Sequence, residues 1–307
     1  MSFEELKNYY MSDENKEILK SEYLNSTPLS KGAEKIVSIN GPKVFLKYYD
    51  LDPASSIAVE QFKNSFSSQL ESNYQMLKNG INVVPIFGYF KHDGCYVEVQ
   101  EKAPGDVLHL INTSSAAIKF LNSEEFPLQH EEIYKKIVKD KQKEYNLQMQ
   151  QKLLDAPQSF FDKLLADARL LAVKHEQPLN DLNAENIMFD QEKGFFFIDL
   201  EPYTFVHEEK PKRPTDFTIF KKVTWMLASM DNFYTNCEDD SVYMPHKKAN
   251  KILMSKLLNA VLNDYFIFSL EDFSELENII KRHCASNDSE EIINTFKAQY
   301  FAKIKIF

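Results

Sequence analysis

The sequence predicts an α+β protein: an antiparallel sheet with one main helix in residues 1–103, and a mainly helical part in residues 104–307. Three observations predict this division. Short β-branched and aromatic runs, separated by turn dipeptides, fill the first hundred residues. From about residue 106 onward, apolar residues recur at helical spacing. Between the two patterns, Pro104-Gly105 interrupts the chain directly after a strand-like run.

The sheet is predicted from four strand-like runs and two tight turns. The runs are Lys35–Ile39, Val44–Tyr49, Val84–Tyr89 and Tyr96–Gln100. The dipeptides Asn40-Gly41 and Asp93-Gly94 favour hairpin turns, because their residues tolerate positive φ. Residues Val59–Lys78 contain neither glycine nor proline, which predicts one long helix between the second and third runs.

Two helical segments stand out in the C-terminal part. One begins after Pro157 and has apolar residues at i, i+3, i+4 spacing, namely Phe160, Phe161, Leu164, Leu165, Ala168 and Leu171. The other, Glu131–Lys152, is rich in Lys, Glu and Gln and carries apolar residues at roughly helical spacing, which predicts an exposed amphipathic helix. A helix that binds a protein partner is the alternative for this second segment.

Composition and charge restrict the function classes. The 307 residues are 43% hydrophobic, so the chain can bury a sizeable core. A formal charge of −10 without a basic stretch disfavours nucleic acid as a partner. No run approaches the roughly 18 apolar residues of a membrane span, and Met1–Tyr10 lacks the apolar core of a signal peptide. Three scattered cysteines predict no disulfide framework and favour a reducing compartment, either the cytoplasm or a host cytoplasm that receives the protein as an effector.

Residues 180–201 carry the most informative polar pattern. Two apolar runs, Ile187–Asp190 and Phe195–Ile198, flank a polar turn that ends in glycine, which predicts an antiparallel hairpin with a four-residue loop. In that register Asn186 and Asp199 flank the open end of the hairpin, about 5 Å apart by cross-strand geometry. Both offer oxygen ligands, and Mg²⁺ needs only one or two of these beside water and substrate phosphates. The pattern therefore predicts a magnesium site, with ordinary turn residues as the alternative for each position taken singly.

The spacing of Asp181, Asn186 and Asp199 around this hairpin resembles the catalytic and metal-binding segments of protein kinases and their relatives. Asn180-Asp181-Leu182 and Ile198-Asp199-Leu200-Glu201 are most similar to segments of choline/ethanolamine kinases and aminoglycoside phosphotransferases. The resemblance implies a two-lobed protein-kinase-like fold, with a nucleotide-binding N-terminal lobe and a helical C-terminal lobe that carries the catalytic loop and the acceptor site. It also implies that ATP and Mg²⁺ are the cofactors, that Asp181 acts on the accepting hydroxyl, and that Asn186 and Asp199 hold the metal.

A phosphate-binding lysine also follows from this resemblance, which covers about residues 30–230. Lys47, at the end of Val44-Phe45-Leu46-Lys47, is similar to the strand lysine that holds the α- and β-phosphates of ATP. The resemblance implies a glutamate partner on the following helix. Glu71 fits that position best, with Glu60 as the alternative.

The same resemblance implies where the nucleotide lies along the chain. Glu101 and Ala103 occupy the place of the hinge between the lobes, where backbone groups meet the adenine. Gly32, within Ser30–Glu34, lies where a loop covers the phosphates. That loop has three glycines in many kinases and one here, so a plain turn is an equally good interpretation of this segment.

Several departures from the kinase pattern bear on the substrate. Leu179 and Asn180 replace a histidine and an arginine that many protein kinases carry, which disfavours regulation by loop phosphorylation. Asp216, which resembles the aspartate that anchors the next large helix, follows Asp199 by 17 residues and leaves little room for a peptide-docking platform. Acidic and aromatic residues in this region suit a cationic acceptor. They are Glu201, Tyr203, Trp225, Asp231, Phe233 and Tyr234. The helical periodicity of Phe217–Met230 instead predicts core positions for Trp225 and Met226.

The sequence therefore predicts a kinase that transfers the γ-phosphoryl group of ATP to a hydroxyl of a small molecule, such as an amino alcohol, an aminoglycoside or a sugar-like acceptor. A divergent protein kinase, including an effector with a protein partner or substrate, is one alternative. A kinase-like binding module without catalysis is another, which the retention of Lys47, Asp181, Asn186 and Asp199 together disfavours. Nucleotidyl transfer would use the same metal residues with ATP reversed, and stays open.

Overall fold

The antiparallel sheet predicted for the N-terminal third is present, and the chain is an α+β protein. The structure is a computed structural model that describes residues 2–31, 35–48, 56–108, 144–177, 179, 182–198, 200, 213–228 and 240–304. The chain divides into two compact units. The first, called the sheet unit, comprises Met1–Pro104, Ile111–Gln142 and Phe196–Phe205. The second, called the helical unit, comprises Gly105–Leu110, Lys143–Phe195 and Val206–Phe307.

The main sheet of the sheet unit has five strands. Their bounds are Thr27–Lys31 (β1), Lys35–Asn40 (β2), Lys43–Tyr48 (β3), Ile86–His92 (β4) and Cys95–Glu101 (β5). The strand order is β1-β2-β3-β5-β4, and every neighbouring pair is antiparallel. The four predicted strands are confirmed, with ends shifted by up to three residues. Strand β1 was not predicted, because its sequence Thr-Pro-Leu-Ser-Lys has a proline and no alternation of apolar and polar residues.

Both predicted turns join strands, and glycine geometry explains each one. Strands β2 and β3 pair out to Asn40 and Lys43, so the turn consists of Gly41 and Pro42, one residue later than expected. Gly41 has φ +57°, and proline restricts the next φ to negative values, a combination that suits a tight hairpin. In the β4–β5 turn, Asp93-Gly94 has φ values of 49° and 78°, which matches the predicted two-residue turn.

Two helices precede the sheet and were not predicted. They are Phe3–Tyr10 (α1) and Asp13–Leu24 (α2). Ser2 caps α1 through a reciprocal pair of hydrogen bonds with Glu5, and the Ser12 hydroxyl accepts a backbone hydrogen bond in the first turn of α2. The serine-to-glutamate spacing at the start of α1 is a known helix-start signal, so the sequence contained the cue. The expectation of one main helix beside the sheet is therefore corrected, since these two helices add to it.

The main predicted helix, Ser56–Lys78 (α3), packs on one face of the sheet. It begins three residues before the predicted start at Val59. Phe66 and Leu70 of α3 form a buried cluster with Tyr89 on β4 and Tyr96 on β5. Burying these large side chains removes apolar surface from water and fixes α3 to this face.

Helix α2 covers the opposite face of the sheet. Its buried residue Leu19 packs with Phe45 on β3, Phe90 on β4 and Val97 on β5. Phe90 and Val97 each follow a tyrosine that faces α3, and neighbouring residues on a strand point to opposite faces. The alternation along each strand therefore decides whether a side chain meets α2 or α3.

A second, smaller sheet follows. Its strands are Asp106–Val107 (β6), Ile187–Asp190 (β7) and Gly194–Phe197 (β8), in that order, and β6 is antiparallel to β7. Gly105 permits the close approach of β6 to β7, because it has φ +80° and a Cβ at this position would lie 2.1 Å from the carbonyl oxygen of Phe189. A side chain at residue 105 would therefore push β6 off β7.

Six helices are described in the helical unit. They are 144–155 (α4), Gln158–Lys174 (α5), Asp216–Ala228 (α6), Asp240–Asn263 (α7), Leu270–His283 (α8) and Ser286–Ile304 (α9). The helix predicted after Pro157 is confirmed by α5. The described part of the predicted Glu131–Lys152 helix is helical, and its residues before 144 lie outside the described part. None of the described helices is both long enough and apolar enough to cross a bilayer.

Candidate active site

Five of the predicted site residues lie in the described part of the chain: Lys47, Glu71, Glu101, Ala103 and Asn186. The predicted catalytic Asp181, the predicted metal ligand Asp199 and the predicted phosphate-loop residue Gly32 lie outside it. The acceptor-site candidates Glu201, Tyr203, Asp231, Phe233 and Tyr234 lie outside it as well. The described part of the candidate site therefore consists of the elements that border these residues in the sequence.

The chain after Asp181 is held by buried apolar side chains. Leu182 is fully buried and Ala184 is 2% exposed. A single 3-10 turn, Ala184–Asn186, follows, in which the Asn186 N–H donates to the Asn183 carbonyl oxygen at 2.9 Å. Asn186 is half-buried and directly precedes β7. The predicted metal ligand thus stands at a strand end whose backbone is fixed on both sides.

The hairpin that follows is anchored by alternating buried residues. Ile187 and Phe189 of β7 are buried, as are Phe195 and Phe197 of β8. The rings of Phe189 and Phe195 lie 4.8 Å apart, which gives a favourable tilted aromatic contact. The apolar runs of this segment therefore form a rigid support for the residues at its ends.

The turn of this hairpin is shorter than the four residues predicted. Strand β8 begins at Gly194, so only residues 191–193 connect it to β7. The Asp190 carboxylate accepts hydrogen bonds from the N–H groups of Glu192 and Lys193, both at 2.9 Å. Gly194 then adopts φ +88°, which only glycine does readily. The aspartate turn and the glycine together close the hairpin one residue earlier and leave Ile198 outside the strand.

The far end of β8 is fixed within the sheet unit. The Phe197 N–H donates to the carbonyl oxygen of Asn82 at 2.9 Å, and Val83 forms a parallel bridge with Phe197. Asp199 follows this anchored residue by two positions in the sequence. The backbone that leads into the second predicted metal ligand is therefore held by hydrogen bonds up to Phe197.

A lysine that the sequence did not single out contacts the loop after Asp181. Lys222 of α6 donates from Nζ to Asn183 Oδ1 at 3.2 Å and lies 4.8 Å from the centroid of the Trp225 ring. Trp225 is 50% exposed, so the expectation that it is a core residue is wrong, whereas Met226 is fully buried as expected. Adjacent residues point about 100° apart on a helix, so burying Met226 turns Trp225 outward. The i, i+3 spacing of Lys222 and Trp225 was the only sequence signal for this contact.

Asp216, the predicted helix-anchoring aspartate, holds the start of α6 through two hydrogen bonds. Asp216 Oδ2 accepts a hydrogen bond from Arg169 Nη2 of α5 at 2.8 Å and from the Ile267 N–H at 2.9 Å. The guanidinium of Arg169 also lies 4.8 Å from the centroid of the Phe266 ring. Asp216 therefore joins the start of α6 to α5 and to the connection between α7 and α8.

Lys47, the predicted phosphate ligand, lies on the face of the sheet that α2 covers. It lies two residues after Phe45 on β3 and therefore points to the same face. Its partners on the neighbouring strands are Ile36 and Val97. Its Nζ is 3.9 Å from Asp93 Oδ2 in the β4–β5 turn. The described acidic neighbour of Lys47 is thus a turn residue of the same sheet.

The predicted pair of Lys47 with Glu71 is not formed. Glu71 is exposed on α3, and α3 packs on the face of the sheet opposite to Lys47. Within the described part of the chain, no ion pair joins the two residues. A lysine could pair with α3 only from a strand position that faces α3, such as the position of Leu46 next to Lys47. The side chain of the alternative partner, Glu60, lies outside the described part.

The predicted hinge has backbone groups in a fixed position. The Glu101 N–H donates to the Pro85 carbonyl oxygen at 2.8 Å, and the Lys102 N–H donates to that of Pro42 at 2.6 Å. The side chain of Glu101 is exposed, whereas Ala103 is 8% exposed. No described residue accepts a hydrogen bond from the Ala103 N–H. This donor is one that a ligand can satisfy.

The helical unit holds the start of the smaller sheet through α4. Tyr145 donates its hydroxyl to the Val107 carbonyl oxygen at 2.5 Å, and Lys152 forms an ion pair of 2.9 Å with Asp106. Burial raises the pKa of Tyr145, with the Asp106 carboxylate as a second cause, so the phenol stays protonated as a donor. The strand that lies beside β7 is therefore fixed by two side chains of one helix.

The predicted metal site is expected to have few protein ligands. Over the described ranges, no three His, Cys, Asp or Glu side chains are grouped to hold a metal ion. Neither predicted ligand belongs to that set of side chains, because Asn186 is an amide and Asp199 lies outside the described ranges. Mg²⁺ bound to a nucleotide takes most of its ligands from phosphates and water. An amide and a carboxylate are a chemically suitable pair for this ion.

Comparisons with known proteins do not assign the chain to a family. A scan against protein-family models finds no match, and a search of curated proteins finds no similar sequence. The resemblance to kinases therefore depends on the residues of this chain, mainly Val44–Lys47 and residues 180–201.

Proposed function

We propose that this protein is an ATP-dependent phosphotransferase with a protein-kinase-like fold, in which the sheet unit and the helical unit are the two lobes. Asp181 accepts or orients the proton of the attacking hydroxyl, and Asn186 and Asp199 hold Mg²⁺ on the ATP phosphates. The metal neutralises charge that develops during transfer, and the protein holds the two reactants in line. Magnesium and ATP are the implied cofactors.

The observation that carries this proposal is the construction of the segment from Leu182 to Phe197. A motif of scattered Asn and Asp residues is weak when it lies in mobile turns, because a catalytic ligand has to be held within a fraction of an ångström. Here Asn183, Asn186 and Asp190 each lie next to a buried residue, and Asn186 stands between a hydrogen-bonded turn and a buried strand. This support for a precisely positioned amide oxygen is what the proposed chemistry needs.

The nucleotide contacts in the proposal differ from the initial prediction. Lys47 remains the candidate phosphate ligand, without Glu71 as its partner, since Glu71 belongs to the other face of the sheet. The backbone of Glu101 and Ala103 is the candidate adenine contact. The N–H of Ala103, for which no described residue is an acceptor, supports that assignment.

The surroundings of Trp225 favour a neutral or anionic acceptor. A cationic acceptor such as an aminoglycoside needs carboxylates or an open aromatic face. The ammonium of Lys222 already lies over one face of the Trp225 ring and also reaches Asn183, two residues after Asp181. A second cation would be repelled there. We therefore favour a sugar-like hydroxylated acceptor over an amino alcohol or an aminoglycoside.

Turnover measurements with an Asp181→Asn variant test the proposal. ATP consumption with Mg²⁺ is measured alone, with neutral sugars and polyols, with amino alcohols and aminoglycosides, and with a cell lysate. We expect transfer to a neutral acceptor and a loss of at least about 100-fold in Asp181→Asn, the scale of general-base catalysis. ATP binding, followed by calorimetry, should persist in the variant. Glu192→Gln, an exposed change in the same hairpin, is the matched control and should keep full activity.

Each of the other outcomes supports or excludes an alternative function. Phosphate transfer only to a protein in the lysate would make the chain a divergent protein kinase. ATP binding without turnover under any condition would make it a binding module, and AMP transfer would make it a nucleotidyltransferase. Absence of ATP binding would exclude the three enzymatic functions, and full activity of Asp181→Asn would show that another residue handles the proton.

A further inference from the structure

An apolar cavity of about 340 Å³ opens in the helical unit, formed by the end of α7, the connection to α8 and the end of α9. Its walls include Val261, Leu262, Tyr265, Ile267, Tyr300 and Lys303. Cavities of 300 Å³ and more with mostly apolar walls and a few polar groups are the usual form of small-molecule sites. The cavity involves none of the residues assigned to phosphotransfer.

The rim of the cavity is unusually apolar for a surface connection. Ile267 is 72% exposed and Tyr265 is 56% exposed. Tyr265 has φ +53°, a conformation that side chains other than glycine, Asn and Asp rarely adopt. Exposed apolar side chains clustered around an opening indicate a binding surface more often than scattered ones do.

The polar group of Tyr300, in the cavity wall, is already hydrogen-bonded within the connection. The Tyr300 hydroxyl donates to the Phe266 carbonyl oxygen at 3.2 Å and accepts from the Phe268 N–H at 2.6 Å. Burial is the main cause that raises the pKa of Tyr300, so this hydroxyl stays neutral. Tyr300 therefore offers the cavity its ring and no spare charge.

One cation stands at the wall of the cavity. Lys303 Nζ lies 4.2 Å from the centroid of the Tyr265 ring and donates a hydrogen bond to the Leu262 carbonyl oxygen. Among the side chains that the structure describes, no carboxylate is within ion-pair distance of this ammonium, in contrast to Lys297 on the same helix, which pairs with Glu277. An ammonium beside an apolar cavity complements a ligand with one anionic group and an apolar body.

We propose that this cavity binds a free single-chain carboxylate of the medium-chain fatty acid class, with its chain in the cavity and its carboxylate at Lys303. The volume holds on the order of ten methylene-sized groups, if each is given the roughly 30 Å³ that a water molecule occupies in the liquid. The carboxylate would replace the carbonyl oxygen of Leu262 as the partner of Lys303. This inference goes beyond the proposed phosphotransfer and does not depend on it.

Calorimetric titration of the full chain with decanoate, below its micelle-forming concentration, tests the proposal. Decanol is the matched probe, because it has the same chain without the charge. We expect saturable decanoate binding that weakens about tenfold in Lys303→Met, the scale of one charge-assisted hydrogen bond. Decanol should bind both proteins equally, since methionine keeps the apolar stem. Lys297→Met is the control variant and should bind decanoate as the unchanged protein does.

A second variant tests the cavity itself. Leu262→Trp places a larger side chain in the wall and should weaken decanoate and decanol binding alike, with thermal unfolding as the check that the variant is folded. If this variant does not fold, the comparison of Lys303→Met with Lys297→Met still decides. Absence of saturable decanoate binding, or an equal loss in the two lysine variants, would overturn the proposal. So would binding only to vesicles of anionic lipid, or a concentration-dependent dimer that decanoate does not dissociate.

Discussion

The β7–β8 hairpin and strand β3 hold their candidate functional residues in different ways. Asn186 stands just outside β7, between a hydrogen-bonded turn and a buried strand residue, so its neighbours in the chain fix its place. Lys47 lies inside β3, and the pairing of β3 with β2 and β5 decides which face it occupies. In one case local chain geometry is sufficient, and in the other the whole sheet is needed.

This difference shows which kind of motif can be trusted from sequence. A shift of one residue in strand pairing turns every side chain of a strand to the other face. Lys47 shares the α2 face with Phe45, while Leu46 faces the side of α3, so the predicted ion pair with Glu71 on α3 fails by a single position. The β7–β8 hairpin shows the same kind of error, since its turn is one residue shorter than predicted. The position of Asn186 directly before β7 does not depend on that pairing, because it is set by the neighbouring residues in the chain.

The largest expected effect concerns the support of the hairpin. Gly105→Ala should lower the free energy of unfolding by at least about 3 kcal/mol, because the new Cβ would lie 2.1 Å from the Phe189 carbonyl oxygen and the φ of +80° strains alanine. Urea denaturation of both proteins measures this. Gly80→Ala is the matched control and should lose only about 1 kcal/mol, since Gly80 has φ +73° and a Cβ built there would meet no atom beyond its chain neighbours within 4 Å. Equal losses in the two variants would show that β6 does not need close contact with β7.

The next effect sharpens the role of the hairpin end. Asn186→Ala should lower kcat/KM for the acceptor reaction about 100-fold and raise the Mg²⁺ concentration needed for half-maximal rate, because an oxygen ligand is lost. Asn186→Asp should restore part of the activity by returning an oxygen ligand. Steady-state rates across a magnesium titration measure both. An unchanged magnesium requirement in Asn186→Ala would remove Asn186 from the metal site.

The smallest effect tests strand β3. Lys47→Met should raise the KM for ATP about tenfold if the ammonium binds phosphate, whereas Glu71→Gln should change it less than about twofold, because Glu71 is exposed on the other side of the sheet. Nucleotide-dependent initial rates for the two variants make the comparison. Matching losses in both would mean that the two residues pair during turnover and that the face of Lys47 differs from the one described.

Local patterns predicted many elements, and each failure has an identifiable cause. The four strands, the helix after Pro157 and the Asp93-Gly94 turn follow from periodicity and turn chemistry, which act over a few residues. Helices α1 and α2 were not predicted, although Ser2 and Glu5 form a capping signal. The hairpin turn is one residue shorter than predicted, because the Asp190 carboxylate accepts two hydrogen bonds from the backbone of the turn.

The candidate site shows the same difference between contacts of neighbouring residues and contacts of residues distant in the chain. The strand and the turn around Asn186 were predictable, because the alternating apolar residues and the turn residues lie within one short segment of the sequence. Lys222 was not, since its contact with Asn183 joins positions 39 residues apart and depends on how α6 packs. The exposure of Trp225 was missed for the same reason: helical spacing identifies a buried stripe, but only the packing of α6 decides that Met226, and not its neighbour, belongs to it.

By itself, the sequence determined the α+β class, the positions of the four main strands and the polar pattern around the hairpin, because these depend on interactions between residues close in the chain. Only the tertiary structure decided that Lys47 and Glu71 lie on opposite faces, that Lys222 covers Trp225, and that a cavity opens beside Lys303. Those facts depend on strand register and helix packing, which are set by contacts between distant residues that no local pattern records.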